Sequence, residues 1–221
     1  MQDKEIIITQ NSYYFVHKNF LEIFLKKKLE IIFVRERKKS ILNKYLEIFN
    51  YFNFLNSIKI ILLEIFYYFK LKKKLKKLDF SFTSDFELNK YLISKLKKKN
   101  YKRIISIGCP CYIDPNIQRE FKLQIYNIHG GIIPFQRGRY SPIKSLLKRH
   151  NILGSTIHLI NKEFDNGTII SQDYFFINNY NFLSNYQRVL KLSSRLLEEF
   201  LKDNYKHLPN QIKDYFLNFK V

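Results

Sequence analysis

Apolar and polar positions change rhythm repeatedly along the chain, and each rhythm predicts an element. Glu5 to Thr9 reads as a first β-strand, Tyr14 to Lys27 as a helix and Leu29 to Val34 as a second strand. Strand, helix and strand in that order predict a parallel α/β sheet. Asp85 to Lys99 is a helix with Ser84 placed to cap it. Arg103 to Gly108 and Leu123 to His129 are strands, and Ser141 to Arg149 is a short helix. Strands at Gly154 to Ile160 and Thr168 to Phe176 flank an Asp165-Asn166-Gly167 turn. A last helix near Phe182 to Lys202 carries the apolar stripe Val189, Leu192, Leu196, Leu197 and Phe200. The expected fold is α/β, a Rossmann-like, mostly parallel sheet flanked by helices. It forms one domain over residues 1–221, with a basic helical insertion at about 41–78.

Residues 41–78 contain no Gly or Pro, and their apolar residues run almost all round a helix. A membrane-spanning helix needs about 20 largely uncharged apolar residues. Asn53, Asn56, Lys59 and Glu64 interrupt this one, so no transmembrane span is expected. Two roles remain open. The segment packs on the sheet or on a second copy in a homodimer, burying Phe52, Leu55, Ile61, Leu62 and Phe66. Alternatively it makes a peripheral membrane contact, its lysines from Lys70 to Lys77 meeting anionic headgroups.

Composition narrows the picture. Apolar residues at 46% and aromatics at 17% suffice for a core and exclude disorder. The 39 Lys+Arg against 19 Asp+Glu leave a net charge of +20, which favours an anionic partner: nucleic acid, anionic lipid or a multiply charged small ligand. The N-terminal stretch lacks the pattern of a secretory signal, and Cys109 and Cys111 give no disulfide framework. A cytoplasmic protein with reduced thiols is expected. No Walker loop or dinucleotide fingerprint follows the first strand, where Gln10-Asn11-Ser12 stands without glycine.

The candidate chemistry lies between Leu123 and Ile170. Asn127 and His129 stand two apart where a strand-like run meets Gly130 and Gly131. His158 closes another strand-like run and Asp165 follows in the next turn. No Gly-x-Ser-x-Gly elbow is present, and neither cysteine has a neighbouring His, so nucleophilic catalysis has no carrier. Two histidines and an aspartate at this spacing match no compact metal motif, and no metal is expected. The residue types suit acyl transfer by positioning. An amide and an imidazole can donate to an oxyanion while a carboxylate accepts a proton.

With these motifs in place, the chain resembles the formyltransferases that use 10-formyltetrahydrofolate. The resemblance rests on Asn127-Ile-His129, Ile132-Ile133-Pro134, Arg137-Gly138, Gly154-Ser-Thr156-Ile-His158 and Asp165-Asn-Gly167-Thr-Ile169. It covers roughly 70 residues, from about Ile104 to Gln172. It implies that Asn127, His129 and Asp165 are catalytic, with His158 and Arg137 in support. It also implies that Pro110, Cys111, Tyr112, Ile113, Gly131, Ile132, Ile133, Pro134 and Asn161 hold 10-formyltetrahydrofolate.

Departures from the family pattern select among its branches. Gly130-Gly131 stands where the family usually has Pro-Ser. Only about 45 residues follow Phe176, and they read as helix rather than as the extra barrel of methionyl-tRNA formyltransferase. The glycine-rich phosphate loop of glycinamide ribonucleotide formyltransferase is missing. The branch left is similar to the sugar N-formyltransferases, which implies a nucleotide-linked deoxyamino sugar as partner and a place in lipopolysaccharide biosynthesis. Two alternatives stand beside it. One is a methionyl-tRNA formyltransferase-like enzyme lacking the C-terminal domain. The other is a non-catalytic protein of this fold that binds a membrane or a partner.

Overall fold

The structure, a computed structural model, describes residues 4–10, 12, 14, 16, 18–26, 29–34, 54–75, 81–82 and 84–203. The chain parts into two compact units, Met1–Tyr126 and Asn127–Val221. The first unit carries strands β1 (Lys4–Gln10), β2 (Glu30–Val34), β3 (Ser81–Phe82) and β4 (Tyr101–Ile107). Its helices are α1 (Lys18–Lys26), α2 (Phe54–Leu75), α3 (Asp85–Leu96) and α4 (Asn116–Glu120). Strand β1 pairs in parallel with both β2 and β4, and β2 pairs in parallel with β3, giving the order β3-β2-β1-β4. Ile6, Ile7 and Ile8 in β1 are all buried, as in a parallel strand covered on both faces. Phe20 of α1 and Leu88 and Leu92 of α3 supply helical parts of this core.

Strand β5 (Gln124–His129) spans the division, its last three residues opening the second unit. That unit continues with α5 (Ser141–Leu147), β6 (Ile152–Leu159), β7 (Ile169–Phe176) and α6 (Phe182–Leu201). Strands β6 and β7 are antiparallel. Leu146, Leu153 and Val189 form one cluster of its core, with Phe175, Ile177 and Phe182 packed against them. The fold is α/β, a mostly parallel sheet flanked by helices.

Most expected elements fall within two or three residues of those observed. The strand β3 and helix α4 have no counterpart in the sequence reading, because two and five residues are too short to show a period. The α-helical part of α1 runs from Lys18, Tyr14 and Val16 before it lie in a wider π-helical turn, and Lys27 lies outside the described residues. Helix α3 is capped by Ser84 Oγ, which accepts from Glu87 N–H at 3.2 Å. It ends at Leu96 rather than Lys99, because Lys97 and Lys98 turn back onto the carbonyls of Ile93 and Lys95.

Of the helical stretch expected at 41–78, residues 41–53 and 76–78 lie outside the described residues, and 54–75 is α2. Within one copy, its inward face differs from the set expected to pack on the sheet. Ser57, Ile60 and Leu71 are buried, Ile61 is half-buried, and Leu55, Leu62 and Phe66 are exposed; Phe52 lies outside the described residues. The reason is Glu64. Its carboxylate accepts the Tyr14 N–H at 2.7 Å and the Ser12 hydroxyl at 3.3 Å, so the face that carries it turns inward. Burial lifts the Tyr14 phenol to about 12, with the Tyr67 phenol adding to the rise. No helix among the described residues is long and apolar enough to cross a membrane.

Candidate active site

Strand alternation brings Asn127 and His129 to one face of β5, two residues apart. On β6 the same period places Gly154, Thr156 and His158 together. Thr156 ties the intervening loop to the sheet. Its hydroxyl donates to the Gly131 carbonyl at 2.7 Å and accepts the Ile133 N–H at 3.3 Å. Gln172 of β7 donates to the same hydroxyl at 2.6 Å and to the Ile133 carbonyl at 3.0 Å. The loop is thus pinned at Gly131 and Ile133 where it enters the cis Ile133–Pro134 bond.

Asp165 arrives from the β6–β7 turn, in a left-handed conformation (φ 49°) that Asp tolerates better than most residues. Gly167 makes the turn feasible, since a Cβ there would sit 1.6 Å from the Leu159 carbonyl oxygen. The carboxylate accepts the Gly138 N–H at 2.8 Å. Arg137 hydrogen-bonds Asn166, so the Arg137-Gly138 turn and the Asp165 turn are clasped together.

The four side chains meet. Asp165 Oδ2 lies 3.4 Å from His129 Nδ1, and Asp165 Oδ1 lies 3.7 Å from His158 Nε2. Asn127 Nδ2 is 3.1 Å from His158 Nε2 and 3.4 Å from Asp165 Oδ1. The amide orientation follows, because its oxygen in that place would face a carboxylate. Tautomers follow as well. A carbonyl only accepts, so His129 Nε2, 2.6 Å from the Gln136 carbonyl, carries a proton. His158 Nδ1, 2.9 Å from the Leu159 carbonyl, does the same and leaves Nε2 to accept from Asn127. His129 therefore turns Nδ1 to the carboxylate.

Burial and charge set the protonation states. Burial holds His129 below its ordinary value, and the neighbouring Asp165 carboxylate only partly offsets this. Burial alone would raise Asp165. The imidazoles of His158 and His129 and the Gly138 N–H reverse that and hold it at about 2. At neutral pH the cluster holds an ionised Asp165 carboxylate against a neutral His129 imidazole, a base with a proton-accepting ring nitrogen beside it.

The other expected residues are placed as follows. Ile132 and Ile133 are buried, with the Ile132 N–H on Gln136 Oε1 at 3.1 Å. Gly131 cannot carry a side chain here, because a Cβ would lie 2.3 Å from Ser141 Oγ and 2.4 Å from the Gln136 carbonyl. Asn161 shapes its own loop, donating to the Asn166 carbonyl at 3.0 Å and accepting the Glu163 N–H at 3.0 Å. Pro110, Cys111, Tyr112 and Ile113 belong to the first unit. There Tyr112 N–H donates to Asp85 at 2.9 Å, Asn89 donates to the Tyr112 carbonyl at 2.9 Å, and Cys109 Sγ donates to the Cys111 carbonyl at 3.4 Å. Burial pushes the Cys109 thiol up to about 12, which leaves it unreactive at neutral pH.

Two groups escaped the sequence reading, the Gln136 carbonyl that fixes His129 and the Gly138 N–H on Asp165. Both are backbone groups. Only the burial of Gln136 inside a basic turn hints at the first.

An amide, two imidazoles and an ionised carboxylate gathered where β5, β6 and the β6–β7 turn end are the groups that group transfer by positioning uses: donors for an oxyanion and a base for a proton. Residues 65–201 match the family model described as formyl transferase, and the chain belongs to that family. It is a formyltransferase. Solved structures with this fold include the phosphoribosylglycinamide formyltransferase of Streptococcus pneumoniae, 17% identical over 92% of this chain and 98% of that one, with a TM-score of 0.63. A sugar N-formyltransferase from Shewanella is 21% identical over 93% of this chain and 73% of its own, with a TM-score of 0.58. A 4-N formyltransferase from Francisella tularensis is 16% identical, covers 93% and 72%, and gives 0.55.

Proposed function

We propose that the chain transfers the formyl group of 10-formyltetrahydrofolate to the amino group of a nucleotide-linked deoxyamino sugar. The observation that carries this reading is the convergence of Asn127, His129 and His158 on Asp165. The residues fit such a donor chemically: they offer hydrogen-bond donors for an oxygen that gains charge and a base for an amine that loses a proton. The donor supplies an activated formyl carbon. Asp165 takes the proton from the attacking amine, His129 Nδ1, 3.4 Å away, shares it, and it passes to the donor nitrogen as the bond from that nitrogen to the formyl carbon breaks and tetrahydrofolate leaves. While it shares the proton, the ring keeps Nε2–H on the Gln136 carbonyl and Nδ1–H on Asp165, and its positive charge stabilises the charge that develops on the formyl oxygen. Asn127 contributes by redirecting its long 3.4 Å contact from Asp165 to that oxygen. The Gln136 carbonyl and His158 hold His129 and Asn127 in orientation. From the resemblance we carry Pro110, Cys111, Tyr112 and Ile113 in the first unit, and Gly131–Pro134 and Asn161 in the second, as donor-holding residues. Arg137 supports the acceptor. The same reading treats the chain as one catalytic domain with a basic helical insertion at about 41–78.

The sugar amine is preferred over glycinamide ribonucleotide because the first strand leads into Gln10-Asn11-Ser12, without the glycines of a phosphate loop. A net charge of +20 suits a diphosphate-bearing acceptor. The test offers the purified protein 10-formyltetrahydrofolate with nucleotide-linked 4-amino sugars, 3-amino sugars or glycinamide ribonucleotide, and follows tetrahydrofolate release. Turnover with an amino sugar is expected. Turnover with glycinamide ribonucleotide alone would overturn the substrate assignment.

A further inference from the structure

Helix α2 carries two seams with the spacing of helix-on-helix packing. Ser57, Ile60, Glu64, Tyr67 and Leu71 alternate by three and four and face the first unit: Ile60 is 1% exposed, and Glu64 is held by Ser12 and Tyr14. On the other side Leu55, Ile58, Leu62, Ile65 and Phe69 repeat the same three-four spacing. Leu55 is 76% exposed, Leu62 61% and Phe69 72%. A period of 3.5 residues is the pattern of an a/d seam that receives the knobs of a second helix. Its five rows cover about 21 Å of helix at 1.5 Å per residue.

We propose that this outward face of α2 binds a second copy of the chain, the two α2 helices packing antiparallel about a two-fold axis at Leu62. Charge decides both the occupant and the direction. Between Leu55 and Phe69 the charged residues are Lys59 and Glu64, and Glu64 is turned inward. The cations gather beyond the seam, at Lys70, Lys72, Lys73 and Lys74. A helix lying in a headgroup plane carries several Lys or Arg on the polar face beside its apolar one, and between Leu55 and Phe69 this helix has Lys59 alone. A parallel pair would set the four C-terminal lysines of each copy against those of the other. An antiparallel pair separates them and lays each cluster beside the partner's apolar N-terminal end. The rows are close to symmetric about Leu62, so Leu55 of one copy meets Phe69 of the partner and Leu62 meets itself. A lone helix pair lies at the small end of interface sizes, below about 1,200 Å², so the dimer exchanges readily.

The test is sedimentation of the full chain over a concentration series at low and high salt, paired with cysteine cross-linking. Mass should double with concentration, and the association should tighten several-fold as salt screens the repulsion between two chains of +20. Leu62→Cys should form a covalent dimer above the background of Cys109 and Cys111. Leu55→Cys and Phe69→Cys should link to each other when mixed, and neither should link alone. Leu62→Glu should remain a monomer, and Leu62→Gln should weaken the dimer if the glutamate variant fails to fold. Three results would overturn the proposal. These are a monomer at every concentration, homodimers of Leu55→Cys alone, and a monomer that binds acidic vesicles in a salt-sensitive way.

Discussion

His129 Nε2 is committed to the Gln136 carbonyl, and this leaves Nδ1 as the atom that meets Asp165. The tautomer is thereby set by a backbone group, which no side-chain letter in the sequence announces. Asn127, His129, His158 and Asp165 were legible because their spacing and positions at strand ends are written in residue types. The Gly138 N–H and the Gln136 carbonyl were not, since every residue brings the same groups. The neutral, buried His129 has a consequence for stability. Its folded-state value lies below the ordinary one near 6.5, so the unfolded chain binds that proton more readily as pH falls. The contribution is complete above about pH 6.5 and is lost on going down; Asp165, held at about 2, adds a second loss below about pH 4. Urea unfolding at about pH 7 and about pH 5 should therefore show a larger loss for the wild type than for His129→Asn. Equal losses in both would contradict the buried neutral imidazole.

At the scale of elements, the turn between β6 and β7 matters most. Asp165 reaches the cluster because Gly167 passes close to the Leu159 carbonyl, where a Cβ would lie at 1.6 Å. Gly167→Ala must push the turn away and carry Asp165 with it. A displacement of about 1 Å costs on the order of 10² in rate, so turnover should fall by about that factor while secondary structure by circular dichroism is retained. Turnover near the wild-type level would show that the turn can relax without moving Asp165. The Asp-x-Gly spacing made this turn legible, because a turn needs its glycine. Helix α2 was legible as a helix but not in its orientation. Glu64 looked like a charge interrupting an apolar run, and it is the side chain that selects the inward face by accepting from Ser12 and Tyr14. A periodicity that is apolar nearly all round cannot say which side turns in.

For the whole molecule, the alternation of strands and helices predicted the α/β class, and the strand pairings bear it out. The shortest elements, β3 and α4, were lost below the length at which a period shows. The net charge of +20 acts at this scale too. If the acceptor is a nucleotide-linked sugar, its diphosphate is drawn in by the field of the whole protein, and salt screens that attraction. KM for the acceptor should rise with ionic strength while kcat stays nearly constant. A salt-independent KM would argue for an uncharged acceptor.

The central claim is that Asp165, with His129 beside it, moves the proton in formyl transfer. Its most direct test is single-turnover formylation of the amino-sugar acceptor by the wild type, Asp165→Asn and His129→Ala, with donor binding measured separately. Both variants should bind the donor as the wild type does and transfer the formyl group about 10²–10³ times more slowly. Transfer by either variant within a factor of about three of the wild type, with donor binding intact, would contradict the roles assigned to these residues, since loss of one such group costs about 10²–10³.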